Sequence, residues 1–438
     1  MPTYRFLAVA LDAPGHVHSI LGFSEALKAA GHEVCLAHRE KYRSLAEKRG
    51  VSFIPFGGDF ADSNADELMI NLIDACADKF RKEPLECFRE MAKFASAGLA
   101  DTEAQFMAFF EPLNKIITER CNEFDAIISD MPGPLLRIYD HLIPWFPLVS
   151  TAPLALYPSG PPFSSGYSVN SDKSKWIEFR DVYNKAHATL LKLPSHLMEA
   201  MGIPEFDLDS FDLGKYIDHV QSVGFYHYPA DLDFTECAPV RPNWHRIDCW
   251  IRKQEVDTEF VIPEKLQDKP GKLIYFSLGT LASADITMMK KLIAILAKSP
   301  HRFIVSKGSR GDRLELADNM WGENYVNQIK IIEKVDLVIT HGGNNTFMET
   351  LYYGKPMIVI PYFYDQYDNA QRVVEKNIGF RINPYEIEEE PLLDCIEKAI
   401  GDHELKNRIK AISQNMRNSN SLTEAIKVIE QQIEKFEK

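Results

Sequence analysis

The sequence predicts an α/β protein made of two doubly wound parallel-sheet domains. Three observations predict it. Short continuous apolar runs, typical of strands buried on both faces, alternate with stretches of helical period from the first residues onward. The alternation breaks at a segment rich in Pro, Lys, Glu, Gln and Asp near residues 257–272, then starts afresh. The 438 residues supply two or three domains at about 150 residues each, and 45% hydrophobic with 26% charged residues suits a folded chain.

Residues 5–11 read as the first strand. A helix follows over 19–30, with Ile20, Phe23, Leu27 and Ala30 on its apolar face and Gly31 closing it as the left-handed residue after the last turn. Strands are predicted at 33–37, 51–55, 125–129 and 147–151. Residues 60–120 are instead helix-rich and carry Met69, Phe80, Phe88, Met91, Phe94, Phe106, Met107, Phe109 and Phe110. Residues 158–172 are dense in Pro, Gly and Ser, and both stretches read as insertions on the sheet. Core packing is the plainer reading of the Met and Phe residues; the wall of an adaptable apolar pocket is the sharper one.

After the break come a strand at 272–277, a helix at 286–299 and strands at 302–306 and 335–340. A helix at 345–353, ended by Gly354, and a strand at 356–361 complete the pattern, which sets a second sheet. Residues 421–438 form a charged amphipathic helix with Ile426, Ile429, Ile433 and Phe436 on one side. The expected limits are 1–255 for the first domain, a linker near 256–271, and 272–415 for the second. Residues 416–438 would return to pack on the first.

A formal charge of −14, from 49 basic and 63 acidic residues, argues against a nucleic-acid partner, which requires a basic surface. Seven cysteines without a C-x-x-C pair fit reduced thiols in a cytosolic protein better than a disulfide framework. Residues 1–11 lack the basic start and longer apolar core of a signal peptide, and no segment offers 18 uncharged apolar residues. The expectation is a soluble, cytoplasmic protein that does not bind membranes. The sequon Asn344-Asn345-Thr346 lies inside the motif described next and reads as unglycosylated.

The chemistry concentrates in residues 336–373. A strand ends at Thr340, a glycine turn follows, and a helix begins near Asn345, so free backbone N–H groups and the helix dipole favour an anion there. His341, Asn345 and Thr346 add side-chain donors, and Gly343 permits close backbone approach. Glu349, one turn into the helix, is acceptor-only and suits a pair of sugar hydroxyls. A diphosphate joined to ribose satisfies this array better than a lone phosphate.

This segment, with its closing Asp365-Gln366 and Asn369-Ala370, resembles the donor signature of the UDP-dependent glycosyltransferases (glycosyltransferase family 1, GT-B fold). The likeness covers most of the chain and is strongest in the C-terminal half. It implies two Rossmann-like domains facing across a cleft, as in soluble plant, bacterial and some arthropod members. By the resemblance, His341, Asn345 and Thr346 hold the diphosphate, Glu349 the ribose, and Asp365 and Gln366 the sugar hydroxyls. The signature's opening Trp-x-Pro-Gln is matched by Tyr325-Val326-Asn327-Gln328, where Tyr325 would stack on the base and Gln328 pair with it; Trp321 lies close by as the other aromatic. Ser277-Leu278-Gly279-Thr280 also matches, bringing Gly279 and Thr280 to the phosphates, and Ser306 ends the next strand on the same edge.

In the first half, Ala13-Pro14-Gly15-His16-Val17-His18 links the first strand to the first helix. His16 therefore sits at the carboxyl edge of a sheet, where open α/β sheets place ligands. Asp130 ends another strand on that edge and would orient the imidazole as the second half of a base dyad. The family's catalytic pair matches these two positions; His18 competes, the family more often having Asn there.

The resemblance implies an inverting hexosyltransferase. His16 takes the proton of an acceptor hydroxyl, and the helix N-terminus with His341 receives the leaving diphosphate. No cofactor or metal is expected beyond the UDP-sugar donor: Asp207-Leu208-Asp209 and Asp231-Leu232-Asp233 read as loop or surface acidic residues. The acceptor would be a small lipophilic compound, such as a flavonoid, phenolic or xenobiotic, suited by the Met- and Phe-rich insertion and by Pro144-Trp145-Phe146. UDP and glucose are the preferred donor parts, with dTDP and galactose open, and the protein is expected to be a monomer. A non-catalytic nucleotide-sugar binder would need no His16–Asp130 pair, and a UDP-sugar epimerase would need no acceptor pocket.

Overall fold

The computed structural model describes residues 2–56, 65–98, 102–131, 142–191, 223–237, 240, 242–251 and 259–436. Strand β1 (Arg5–Ala10) is buried on both faces beyond its first residue and nucleates a seven-stranded, all-parallel sheet. The others are β2 (Glu33–His38), β3 (Ser52–Pro55), β4 (Ala126–Asp130), β5 (Trp145–Val149), β6 (Gly224–His227) and β7 (Trp244–Ile247), in the order β3-β2-β1-β4-β5-β6-β7. A second parallel sheet comprises β8 (Leu273–Ser277), β9 (Arg302–Ser306), β10 (Met320–Glu323), β11 (Leu337–Thr340), β12 (Met357–Val359) and β13 (Gly379–Arg381). Its order, β10-β9-β8-β11-β12-β13, reverses direction at the β8/β11 boundary, as the first does at β1/β4. Ligands bind outside the strands' carboxyl ends at such switch points.

Helix α1 (Pro14–Ala29) starts five residues before the predicted helix, because Pro14 at its first position presets the helical φ. His16 is therefore in its first turn and His18 just beyond it, not in a loop. Gly31, at φ +98°, ends the helix as its position predicts. Strand β5 begins two residues before the predicted run. Strands β6, β7, β10 and β13 escape the pattern: each is three or four residues long, and three contain glycine. Gly224 is required there, since a Cβ would lie 2.5 Å from the Trp244 ring.

Helix α2 (Arg43–Glu47) leads into β3; the insertion forms α3 (Ala65–Phe80), α4 (Pro84–Gly98) and α5 (Thr102–Arg120), with α6 (Lys173–Leu191) packed on α4. Among the described residues, Phe80, Phe88 and Met91 border only a void of about 10 Å³, roughly the space of one water. Phe80, Ile70 and Ile73 join the second domain's core, Phe80 meeting Phe363 at 5.3 Å between ring centroids. Phe88 packs against Phe179, Tyr183 and Tyr364, and Met91 packs beside that core. Trp145 and Phe146 are likewise core residues of the first sheet. The side chains of Met69, Phe94, Phe106, Met107, Phe109 and Phe110 lie outside the described residues.

Residues 259–272 lead into the second domain through one helical turn, α7 (Glu264–Gln267). There follow α8 (Gly279–Ala282), α9 (Ile286–Leu296), α10 (Gln328–Lys334), α11 (Asn344–Tyr352), α12 (Asp365–Glu375) and α13 (Glu389–Gly401). Helix α14 (His403–Asn418) still packs on the second domain, through Leu405, Ile409 and Met416. The chain crosses back at Ser419–Ser421, where Ser419 Oγ donates to Asp248 Oδ2. Helix α15 (Ser421–Phe436) then buries Ile426, Ile429 and Ile433 against the first sheet's core, and His32 Nε2 meets Glu430 at 3.2 Å. Burying three isoleucines contributes about 1.5–3 kcal/mol each. Phe436, expected on that face, is 46% exposed.

One flank of the interdomain cleft is joined by charged groups. Arg372, 1% exposed, donates at 2.6 Å to the carbonyls of both Leu232 and Asp233 and pairs with Glu236. Asp368 accepts from the backbone of Ser164 and Gly166. Among the described residues no helix is long and apolar enough to cross a membrane.

Candidate active site

A cavity of about 940 Å³ lies between the carboxyl edges of the two sheets. On the first-domain side the β1–β4 register pairs Ala10 with Asp130, bringing the start of α1 next to that carboxylate. His16 Nδ1 sits 3.1 Å from Asp130 Oδ1 and 3.4 Å from Ser150 Oγ, and its ring borders the cavity. With the Nδ1 proton given to Asp130, Nε2 is left as the lone-pair nitrogen. Burial works against a charged His16, but the charge of Asp130 and its hydrogen bond, with a smaller pull from Asp365, outweigh it and raise the pKa.

On the second-domain side α11 opens at Gly343 with no side-chain cap, so its first-turn N–H groups face the cavity that Gly343, Asn344, Asn345 and Thr346 line. The His341 imidazole is wedged between two glycines: a Cβ on Gly279 (φ +70°) would lie 2.6 Å from it and one on Gly343 2.5 Å. Burial lowers its pKa to about 4 despite a hydrogen bond with the Ser277 backbone, so at neutral pH it offers a hydrogen bond and no charge. Thr280, Ser306, Tyr325, Gln328, Asp365 and Gln366 border the same cavity.

Several of these groups are already engaged. Gln328 accepts from Tyr275 Oη at 3.1 Å and donates to Thr346 Oγ1 and, at 2.5 Å, to Glu349 Oε2. Glu349 is 2% exposed and borders a small adjoining void instead of the main cavity. Asn345 Nδ2 donates across the cleft to the Gly15 carbonyl at 2.7 Å, so that amide is turned toward the first domain. Asp365 accepts from Ala152 N at 3.1 Å; burial raises its carboxyl to about 6, against the pull of that bond and of His16. Gln366 Oε1 accepts from Tyr362 N and Phe363 N, leaving its NH₂ as the group a ligand can use. Tyr325 is 66% exposed and borders the cavity, as Tyr275 does, whereas Trp321 packs toward Phe260.

Three participants escaped the sequence. Asn344, next to Asn345, ties the domains by donating to the carbonyls of Ser150 at 2.7 Å and His227 at 3.2 Å. Adjacent helical residues point about 100° apart, so only one of an Asn pair can face a given ligand. Ser150 follows a strand whose end was misplaced. Arg310 is the one Arg or Lys among the described cavity-lining residues; it bonds Asn71 of α3, and Arg313 beside it pairs with Asp74. Asp233 is no surface carboxylate: it is buried and accepts from Tyr157 and Tyr226 hydroxyls. Asp231 is exposed and bonded by Asn415, and Asp207 and Asp209 lie outside the described residues. Among the described residues, no group of three or more His, Cys, Asp or Glu is arranged to hold a metal ion.

Residues 295–432 match the glycosyltransferase family 28 C-terminal domain. The chain is 26% identical to the NDP-glycosyltransferase YjiC of Bacillus subtilis (strain 168), over 98% of this chain and 97% of that one. It is 23% identical to a sterol 3-beta-glucosyltransferase of Komagataella phaffii over 98% of this chain, which spans only 35% of that longer protein. Among solved structures, a glycotransferase of kitacinnamycin superposes with a TM-score of 0.68 at 19% identity, covering 99% of this chain and all of that one. The glycosyltransferase VinC, solved in complex with dTDP, superposes at 0.62 with 16% identity over 98% of this chain and all of its own. These structural likenesses establish the shared two-domain fold.

Proposed function

We propose that this chain, a glycosyltransferase of the GT-B fold, moves a hexose from a UDP-sugar to the hydroxyl of a small lipophilic acceptor with inversion at the anomeric carbon. The observation that carries the reading is the 3.1 Å His16–Asp130 pair, which faces an uncapped helix N-terminus across one cavity. His16 Nε2 takes the acceptor's proton as its oxygen bonds to the anomeric carbon, while the bond from that carbon to the diphosphate breaks on the opposite face. Asp130 steadies the imidazolium that forms. The charge developing on UDP is met by the first-turn N–H groups of α11, by the Thr280 and Thr346 hydroxyls and by a hydrogen bond from His341. Arg310 is the one Arg or Lys among the described residues that line the cavity.

In this reading Tyr325 stacks on the base, Gln328 and Glu349 address the nucleoside, Asp365 and Gln366 take the sugar hydroxyls, and no metal is required. Glucose is favoured as the sugar because relatives carry glucosyltransferase in their names, and UDP as the nucleotide because Glu349 suits a ribose bearing both hydroxyls. Flavonoids, phenolics and xenobiotics are the acceptors to try first.

The test is incubation with UDP-glucose and a panel of phenols, following UDP release and glycoside mass. Wild type should yield glycoside with EDTA present. His16→Ala should cut kcat by about 10³, within the usual range for losing a general base. UDP release without any glycoside, or full activity in His16→Ala, would sink the reading.

A further inference from the structure

Beside the main cavity lies a void of about 10 Å³, bordered by His18, Ser19, His227, Trp250, Asn345 and Glu349. That is roughly the space one water requires when polar groups surround it. His227 is the last residue of β6 and 1% exposed. Its Nε2 accepts from Trp250 N at 3.0 Å, while its ring stacks on the Trp250 indole with centroids 4.4 Å apart. An acceptor at Nε2 puts the proton on Nδ1, because a neutral imidazole has one of each. Burial keeps the ring neutral, lowering its pKa to about 3. Nδ1 is thus a buried donor, and it has no hydrogen-bond partner within the protein. Leaving such a donor unsatisfied costs about 1–3 kcal/mol, so a ligand in the void is strongly favoured.

Two other residues that border the void supply acceptors. Glu349 accepts from Gln328 and, as a carboxylate with about four lone-pair sites, can take more than one donor; Asn345 gives its NH₂ to Gly15 and has its carbonyl oxygen as an acceptor. We propose that one ordered water in this void links His227 of the first domain to the Glu349 carboxylate of the second and so sets the protein's preference for ribose over deoxyribose. The water accepts from His227 Nδ1–H and donates to Glu349, holding the carboxylate at the angle two vicinal hydroxyls require. His227 touches no donor atom and acts as a positioning residue. The proposal rests on the reading that Glu349 takes the ribose hydroxyls.

Calorimetry with UDP and 2′-deoxy-UDP tests it. Wild type should prefer UDP by about tenfold or more, since a site built for a hydroxyl penalises its loss. His227→Gln, which keeps an acceptor near Nε2 but no donor near Nδ1, should cut that ratio about threefold or more at unchanged affinity for 2′-deoxy-UDP. His227→Asn, which restores a donor near Nδ1, should recover it. An unchanged ratio in folded His227→Gln overturns the proposal. So does a high-resolution crystal structure of the wild type with no water within hydrogen-bonding distance of both Nδ1 and Glu349, a measurement independent of how the variants fold. A wild type that binds UDP and 2′-deoxy-UDP equally removes the ribose reading of Glu349. A wild type that binds neither removes the proposed donor.

Discussion

Histidine protonation divides the labour at the residue scale. His16 is half-buried beside a carboxylate and its pKa is raised; His341 is half-buried without one and its pKa falls to about 4. Asp130→Asn removes the charge that holds His16 up, so the acidic limb of the kcat/KM profile should move down by about one pH unit or more while kcat falls. The same pair makes a stability term. Because the folded pKa of His16 is raised, its stabilisation is full below about 6.5, the unfolded value, and fades as pH rises through the folded one. A bound diphosphate should raise the pKa of His341, so UDP binding near pH 5 should take up protons. Calorimetry in buffers of different ionisation enthalpy reads that uptake, and it should shrink in His341→Gln. The positions of His341, Thr346 and Gln366 on the cavity were legible because a long motif marks them. The direction of the Asn345 amide was not, because its partner is a backbone carbonyl over 300 positions away.

Strands written as unbroken apolar runs were the legible ones. Strands β1, β8, β9 and β11 announce themselves as apolar runs, while β6 and β13 do not, since Gly224 and Gly379 stand where a run would need bulk. Gly224 yields its space to the Trp244 ring, and no local pattern encodes a neighbour twenty residues on. The early start of α1 turns on Pro14, a breaker inside a helix and a good first residue. The turn before α11 makes its own prediction. Gly343→Ala puts a methyl 2.5 Å from His341 Nε2, displacing the ring from the helix N-terminus. UDP affinity should fall about tenfold or more, while the thermal midpoint moves by only a few degrees. An unchanged affinity would show that the wedge between glycines is not what presents His341.

For the whole molecule, two parallel-sheet halves and the returning helix were readable from alternation and from the Ile426, Ile429 and Ile433 stripe. The junction between the halves was not. The insertion's Phe80 and Phe88, legible as large and apolar, proved to weld one domain to the other, because composition reports that a residue is buried but not against what. Arg372 is the polar counterpart of that weld. Arg372→Leu strands the carbonyls of Leu232 and Asp233 and takes the guanidinium from the poorly exposed Glu375, while Glu236 keeps Lys376; it should cost about 3–5 kcal/mol, seen as a lower denaturation midpoint. A midpoint unchanged in that variant would mean the junction is held without the Arg372 bonds. The charge of −14 acts at this scale too: the long-range field repels UDP, so binding must come from local donors and Arg310.

The central claim, that His16 activates a hydroxyl to displace UDP from a sugar, is tested most directly by product stereochemistry. With UDP-α-glucose and a phenol, the account predicts a β-glucoside, identified by the proton coupling at its anomeric carbon, formed by wild type and lost about 10³-fold in His16→Ala. An α-glucoside, or β-glucoside formed undiminished by His16→Ala, would contradict it.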